Sequence, residues 1–231
     1  MSDLVSFEAF DRRELVRKLA LALTAMGTLD LADAQHVHEE ARREKTARGA
    51  YTPKALKPHE YKTVTRLAEL IVPADDVSGS AADAGAPEFI DLLCSHNEQL
   101  ADIYHGGLAW LDAEMRKRHG SSFLEAGEGP QTAILDALVA ADRTERERRT
   151  EELVYRRSPD YKDFSGYTVN RAGGLGPGIH FFDWVRKMSV DAFYTSPIGI
   201  KDLGYMGNRA VSKYDVPPEC LEYALKRSPF A

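Results

Sequence analysis

Apolar positions recur at helical intervals in four stretches of the chain, and nowhere do they alternate with polar ones in the period of two that marks a half-buried strand. From His59 to Val72, the positions Tyr61, Val64, Leu67, Ala68 and Ile71 share one face, and Pro73 ends the run. Pro87 opens the longest pattern at a first-turn position, with Glu88 and Asp91 complementing the positive start of a helix. Phe89, Leu92, Leu93, His96, Leu100, Ile103, Tyr104, Leu108, Leu111 and Met115 carry that seam to Gly120, as one helix or as two joined at Gly106-Gly107. Ile134, Leu135 and Leu138 give a shorter face over Gln131 to Ala141. It runs into Asp142 to Glu152, where acidic and basic residues alternate as on a solvated helix face. Ile179 to Phe193 resumes helical spacing through Phe182, Val185 and Met188, with Phe181 and Trp184 adding bulk suited to a core or an interface. The predicted fold is therefore mainly α, an irregular helical domain with long ordered loops and no Rossmann or other nucleotide-binding unit.

The remaining stretches set the expected boundaries. Within residues 1–34, Arg12-Arg13 precede an apolar run from Leu19 to Leu29, and Ala32-Asp33-Ala34 has the small-x-small form of a cleavage site. Two readings stand: a twin-arginine export signal, or an amphipathic N-terminal helix that is retained. Asp11, where a small hydroxyl residue is usual, and Asp30 and Asp33 beside the cut depart from the signal pattern. Residues 35–58 are polar, with Pro53 and Pro58, and read as an extended connector to a helical domain over 59–231. Near the C-terminus, Phe193 to Asn208 combines Pro197, Gly199, Gly204 and Gly207 with aromatics, a stretch too punctuated for a helix and too long for a simple turn.

Composition narrows the function more by exclusion than by assertion. A length of 231 residues with 43% apolar and 29% charged content is ordinary for a globular chain, and a net charge of −6 argues against nucleic acid as the main partner. No run reaches the roughly 18 apolar residues that span a bilayer, so a membrane link would run through a partner. Cys94 and Cys220 are too few for a disulfide scaffold and lack metal-site spacing; a pairing with each other in an oxidising compartment stays open.

Candidate chemistry is sparse. His36, His38 and Glu39 cluster without a third or fourth ligand nearby, and Asp75, Asp76 and Asp83 lack the alternation and terminal Glu of a calcium loop. Gly173 to Gly178 is glycine-rich but follows no strand and precedes no Lys-Ser/Thr pair. No nucleophile, base and orienting group can be placed together from spacing.

Several stretches, taken in order, resemble a known family. Leu67-Ala-Glu-Leu-Ile-Val-Pro-Ala-Asp75, Ala84-Gly-Ala-Pro-Glu-Phe-Ile-Asp91, Gly107-Leu-Ala-Trp-Leu-Asp112, Phe181-Phe182 and Thr195-Ser-Pro-Ile-Gly-Ile-Lys-Asp-Leu-Gly-Tyr-Met-Gly-Asn208 are similar to the successive motifs of gluconate 2-dehydrogenase subunit 3. The resemblance covers roughly residues 59 to 221. It implies a helical clasp around a larger FAD-binding flavoprotein of the glucose-methanol-choline (GMC) oxidoreductase class, which oxidises a sugar or sugar acid. The small subunit, on this resemblance, has no catalytic residues and binds no cofactor or metal. It helps the large subunit mature and, where an export signal is present, reaches the periplasm with it, often to meet a cytochrome c subunit. Without export the pair would be cytoplasmic.

The expected contacts with the large subunit are Tyr194, Pro197, Ile198, Leu203, Tyr205 and Met206, with Trp184 and Trp110 beside them. The competing reading is an independent helical enzyme or ligand-binding protein that uses Asp75, Asp76, His96 or His105.

Overall fold

The structure, a computed structural model, describes residues 31–155, 174–204, 216 and 218–227. Among them are eight helices and no strand: α1 (Leu31–Arg48), α2 (Pro58–Ile71), α3 (Ala86–His96), α4 (Glu98–His119), α5 (Glu128–Tyr155), α6 (Gly176–Thr195), α7 (Pro197–Asp202) and α8 (Pro218–Arg227). The protein is mainly α, as its periodicity predicts, and holds no Rossmann-like sheet among these residues. No described helix is long and apolar enough to cross a membrane. The twin-arginine stretch lies outside the described residues.

Helix α6 is the centre of the arrangement, packed against each of α1 to α5 and against α7. Its sequence explains why. Ile179, Phe181, Phe182, Trp184, Val185, Met188, Ala192 and Phe193 are all buried, and at about 100° per residue they cover more than half of its circumference. A helix so apolar has to be enclosed by others. Its solvent stripe is left to His180, Asp183, Lys187 and Tyr194.

The closest approach is between α4 and α6, and it is reciprocal. Phe181 of α6 rests where Gly107 of α4 lacks a side chain, and Trp110 of α4 rests over Gly178 of α6. A Cβ at either glycine would fall 2.1 Å from the facing ring. Tyr104 meets Phe181 edge-on at 5.7 Å between ring centroids. Gly106-Gly107 is thus a packing contact inside one continuous helix and not the expected joint. The joint lies at Asn97, whose backbone is extended (φ −142°, ψ 103°) and whose side chain accepts the Leu100 N–H at 3.0 Å, capping α4.

Residues 35–58, expected as an extended connector, are helical as far as Arg48. Ala34, Val37 and Ala41 form a narrow buried seam at i, i+3 and i+7, and small side chains in a charged sequence leave that seam faint. After Arg48 the chain is irregular, and Asp91 on α3 holds it. That carboxylate is 0% exposed. It accepts the N–H groups of Lys54 (2.7 Å), Ala55 (3.1 Å) and Leu56 (2.7 Å) and the Tyr51 hydroxyl (2.8 Å). Burial and the neighbouring Asp91 charge push the Tyr51 phenol pKa upward, so it stays a donor. Asp112, also buried, binds His59 Nε2 at 2.6 Å and the Phe123 N–H at 3.0 Å, tying the start of α2 to α4 and to the following turn.

Two tests follow from this packing. Gly107→Ala should destabilise the fold by about 2 kcal/mol or more through overpacking, whereas Gly106→Ala, which meets nothing within 4 Å, should stabilise it by roughly 0.5–1 kcal/mol through helix propensity. Urea midpoints of the two variants decide the point, and equal effects would contradict the contact. Asp91→Ala should cost about 3 kcal/mol or more, because three backbone donors lose their acceptor.

Candidate functional site

At its C-terminal end α6 turns into α7 around Ser196. This residue is fully buried and extended (φ −82°, ψ 160°). Its hydroxyl donates to the Phe193 carbonyl at 2.7 Å and accepts the Gly199 N–H at 3.1 Å, capping the short helix. Pro197 takes the first helical position, where no N–H is needed. Gly199 is required by space, since a Cβ there would lie 2.1 Å from the Phe193 carbonyl oxygen. Gly204, at φ 61°, closes the corner with its N–H on the Lys201 carbonyl at 3.0 Å. The stretch that reads as too punctuated for a helix therefore contains one. Pro197, Gly199 and Gly204 stand at a helix boundary or a close contact and do not interrupt the helix, and Gly207 lies outside the described residues.

The corner turns apolar side chains outward. Tyr194 is 40% and Leu203 60% exposed, Pro197 is exposed, and Ile198 is half-buried against the core. Tyr205 and Met206 lie outside the described residues. Trp184 does not join this surface: at 4% exposure it belongs to the core, because its position on α6 falls within the buried arc. Trp110 is half-buried, its ring occupied by the contact with Gly178.

Beside the corner, a cleft of about 380 Å³ opens between α1, the turn that starts α3, and α7. Ala41, Ala84, Pro197 and Ile200 contribute its apolar lining, and Arg42 and Lys45 stand among the polar groups around it. His38 joins its walls. Its ring lies against Phe89 (4.9 Å between centroids), and its Nε2 is 3.1 Å from the Thr195 hydroxyl. His36, two residues earlier, is exposed, so the two histidines do not converge. Burial lowers the His38 pKa from 6.5 to about 4, outweighing a hydrogen bond to the Ala192 backbone. His38 is thus a neutral, structural imidazole at pH 7.

Of the residues of the competing reading, Asp75, His96 and His105 are engaged locally. Asp75 accepts the N–H groups of Val77 and Ser78, both at 2.8 Å, in a turn that holds its carboxyl below the usual range. Asp76 is exposed beside it. His105 pairs with Glu60 at 3.0 Å on α2, and His96 ends α3 half-buried. No cluster of three or more His, Cys, Asp or Glu that could hold a metal occurs among the described residues. Cys94 is buried and Cys220 exposed, both as free thiols. Burial also pushes the Cys94 thiol pKa well above its ordinary value.

Sequence reasoning missed Asp91 and His38 as organising groups. The signal for Asp91 was present as a carboxylate inside the apolar run Phe89-Ile-Asp-Leu-Leu93.

Residues 58–212 match gluconate 2-dehydrogenase subunit 3. The chain belongs to that family. No curated protein and no solved structure matches the chain significantly. The subunit 3 match starts with α2 and runs past α7, taking in the glycine–aromatic contact, Asp91, Asp112 and the whole Ser196 corner. It leaves out α1 and α8. This subunit 3 chain therefore builds its cleft from one wall inside the matched region and one outside it.

The lowered His38 pKa carries a sign. Between about pH 6.5 and 4 the unfolded chain binds a proton that the folded chain does not, so stability falls as pH drops through that window and is fully present above it. The contribution is at most about 3 kcal/mol. Urea midpoints at pH 7.5 and 4.5 should differ more for the native chain than for His38→Asn, which removes this one titration. Equal differences would refute the assignment.

Proposed function

We propose that this chain is the non-catalytic small subunit of an FAD-dependent sugar or sugar-acid (or glycoside) dehydrogenase. In this reading it stabilises and matures a GMC-type flavoprotein that holds the FAD and performs the oxidation. The single observation that supports it most is the subunit 3 match over residues 58–212, which ends beyond the corner that turns Tyr194, Pro197 and Leu203 outward. Exposed aromatic and aliphatic side chains grouped on a rigid corner suit a protein interface, where such residues anchor binding. The described residues contain no strand, and a dinucleotide-binding unit needs one before its glycine turn. FAD in the partner is in keeping with that.

The Arg12-Arg13 stretch supports export of the assembled pair by the twin-arginine route to the periplasm, with a cytochrome c subunit as electron acceptor. A family of subunits of a multi-subunit dehydrogenase makes a partner the natural context for α8 as well. There Leu221, Tyr223 and Leu225 are exposed on a ten-residue helix.

The test is co-expression of the full chain with a GMC-type flavoprotein from the same source. Flavin absorbance and sugar-dependent dye reduction should travel with the complex, and the chain alone should show neither. Sugar oxidation by the isolated chain would overturn the proposal. Within the complex, Tyr194→Glu with Leu203→Glu should weaken association tenfold or more, about 1.4 kcal/mol, without change in helical circular dichroism.

A further inference from the structure

The cleft between α1 and α7 is not explained by the fold. Ala41, Ala84, Pro197 and Ile200 line a concavity of about 380 Å³, within the roughly 300–1,000 Å³ range of sites that enclose a compact ligand. Its walls are held in register from behind by His38, which bridges α1 to Phe89 of α3 and Thr195 of α6.

The charged groups around it are unequal. The acids are committed: Glu88, largely buried, binds Lys45 at 3.3 Å and also Tyr61; Glu39 holds both Arg42 and Arg43; Asp83 accepts from the Ser80 N–H and hydroxyl at 2.8 Å. Arg42 and Lys45 share those bridges but are not exhausted by them. Arg42 and Lys45 have side chains 72% and 62% exposed, each retains donors beyond its one bridge, and exposed bridges of this kind exchange at little cost. A visitor carrying a carboxylate meets donors that these bridges leave unused.

We propose that this cleft seats a segment of the flavoprotein subunit, placing a bulky apolar side chain on Ala41, Ala84 and Ile200 and an adjacent carboxylate against Arg42 and Lys45. The inference rests on the small-subunit reading and specifies where the partner docks. Continuity favours a protein segment over a free small molecule. Pro197 lines the cleft and is itself exposed, and it lies in the chain between the exposed Tyr194 and Leu203, so a segment leaving the cleft over Pro197 meets the same corner. One wall of the cleft lies within the family-matched region, in α3 and α7. The other is α1, outside it. A partner that reads both walls recognises this particular subunit and not the family at large.

The test uses the full chain co-expressed with its flavoprotein. The double variant Arg42→Glu, Lys45→Glu should speed dissociation of the complex tenfold or more at low ionic strength and flatten its salt dependence, with the thermal unfolding of the isolated variant little changed. Ile200→Trp, which fills the cleft, should speed dissociation similarly. Carbodiimide coupling of the native complex, mapped by mass spectrometry, should join Lys45 to an Asp or Glu of the flavoprotein. If the charge variant and Ile200→Trp dissociate like the native complex while the Tyr194 and Leu203 variants dissociate faster, the cleft is not the seat and the small-subunit reading survives. If Lys45 couples only to Glu88, the cleft proposal also fails. If the native chain never retains a flavoprotein, both fall together.

Discussion

The exchange of aromatic rings for missing side chains between α4 and α6 sets the geometry on which the rest depends. Gly107 receives Phe181 and Gly178 receives Trp110, each pair offset by one helical turn on its own helix. Two helices in such contact leave α6 deep enough for α1, α2, α3 and α5 to close around it. The depth of α6 in turn fixes where its C-terminal end emerges. There Ser196 and Gly199 fold the chain back so closely that a backbone carbonyl occupies the space of a side chain. The outward-facing Tyr194 and Leu203 are therefore carried on a tightly packed turn. Rigid presentation of apolar groups lowers the ordering cost that association must overcome.

Buried carboxylates supply the second layer of organisation. Asp91 collects the backbone donors of an irregular segment that has no secondary structure to satisfy them, and Asp112 does the same for the turn at Phe123. Both stand on helices that contact α6, so the loops are tied to the same frame as the helices. His59 and His105 each face a carboxylate across the α2–α4 contact. These polar groups have partners placed to hold structure, and their roles in the fold are clear without any reaction.

Helix faces were legible because burial imposes a period that large side chains reveal. The face of α2, the seam of α3 and α4, and the core of α6 all read correctly from Leu67, Phe89, Leu100 and Phe182. What failed to read were positions where one residue type serves two physical ends. Glycine breaks helices, yet Gly107 sits within one to admit a ring; proline stops helices, yet Pro197 starts one. Trp184 carries the bulk of an interface residue and is spent on the core. In α1 the apolar seam is built from Ala34, Val37 and Ala41, too slight to stand out among charges. The cleft was not legible at all, since it joins residues 157 positions apart, as the contact between His38 and Thr195 shows.

The depth of Ala34 bears on how the chain is handled before it reaches its final form. It is 1% exposed inside a helical turn, so the peptide bond that follows it has neither the extended shape nor the accessibility that cleavage requires. Trimming at that bond has to precede the docking of α1.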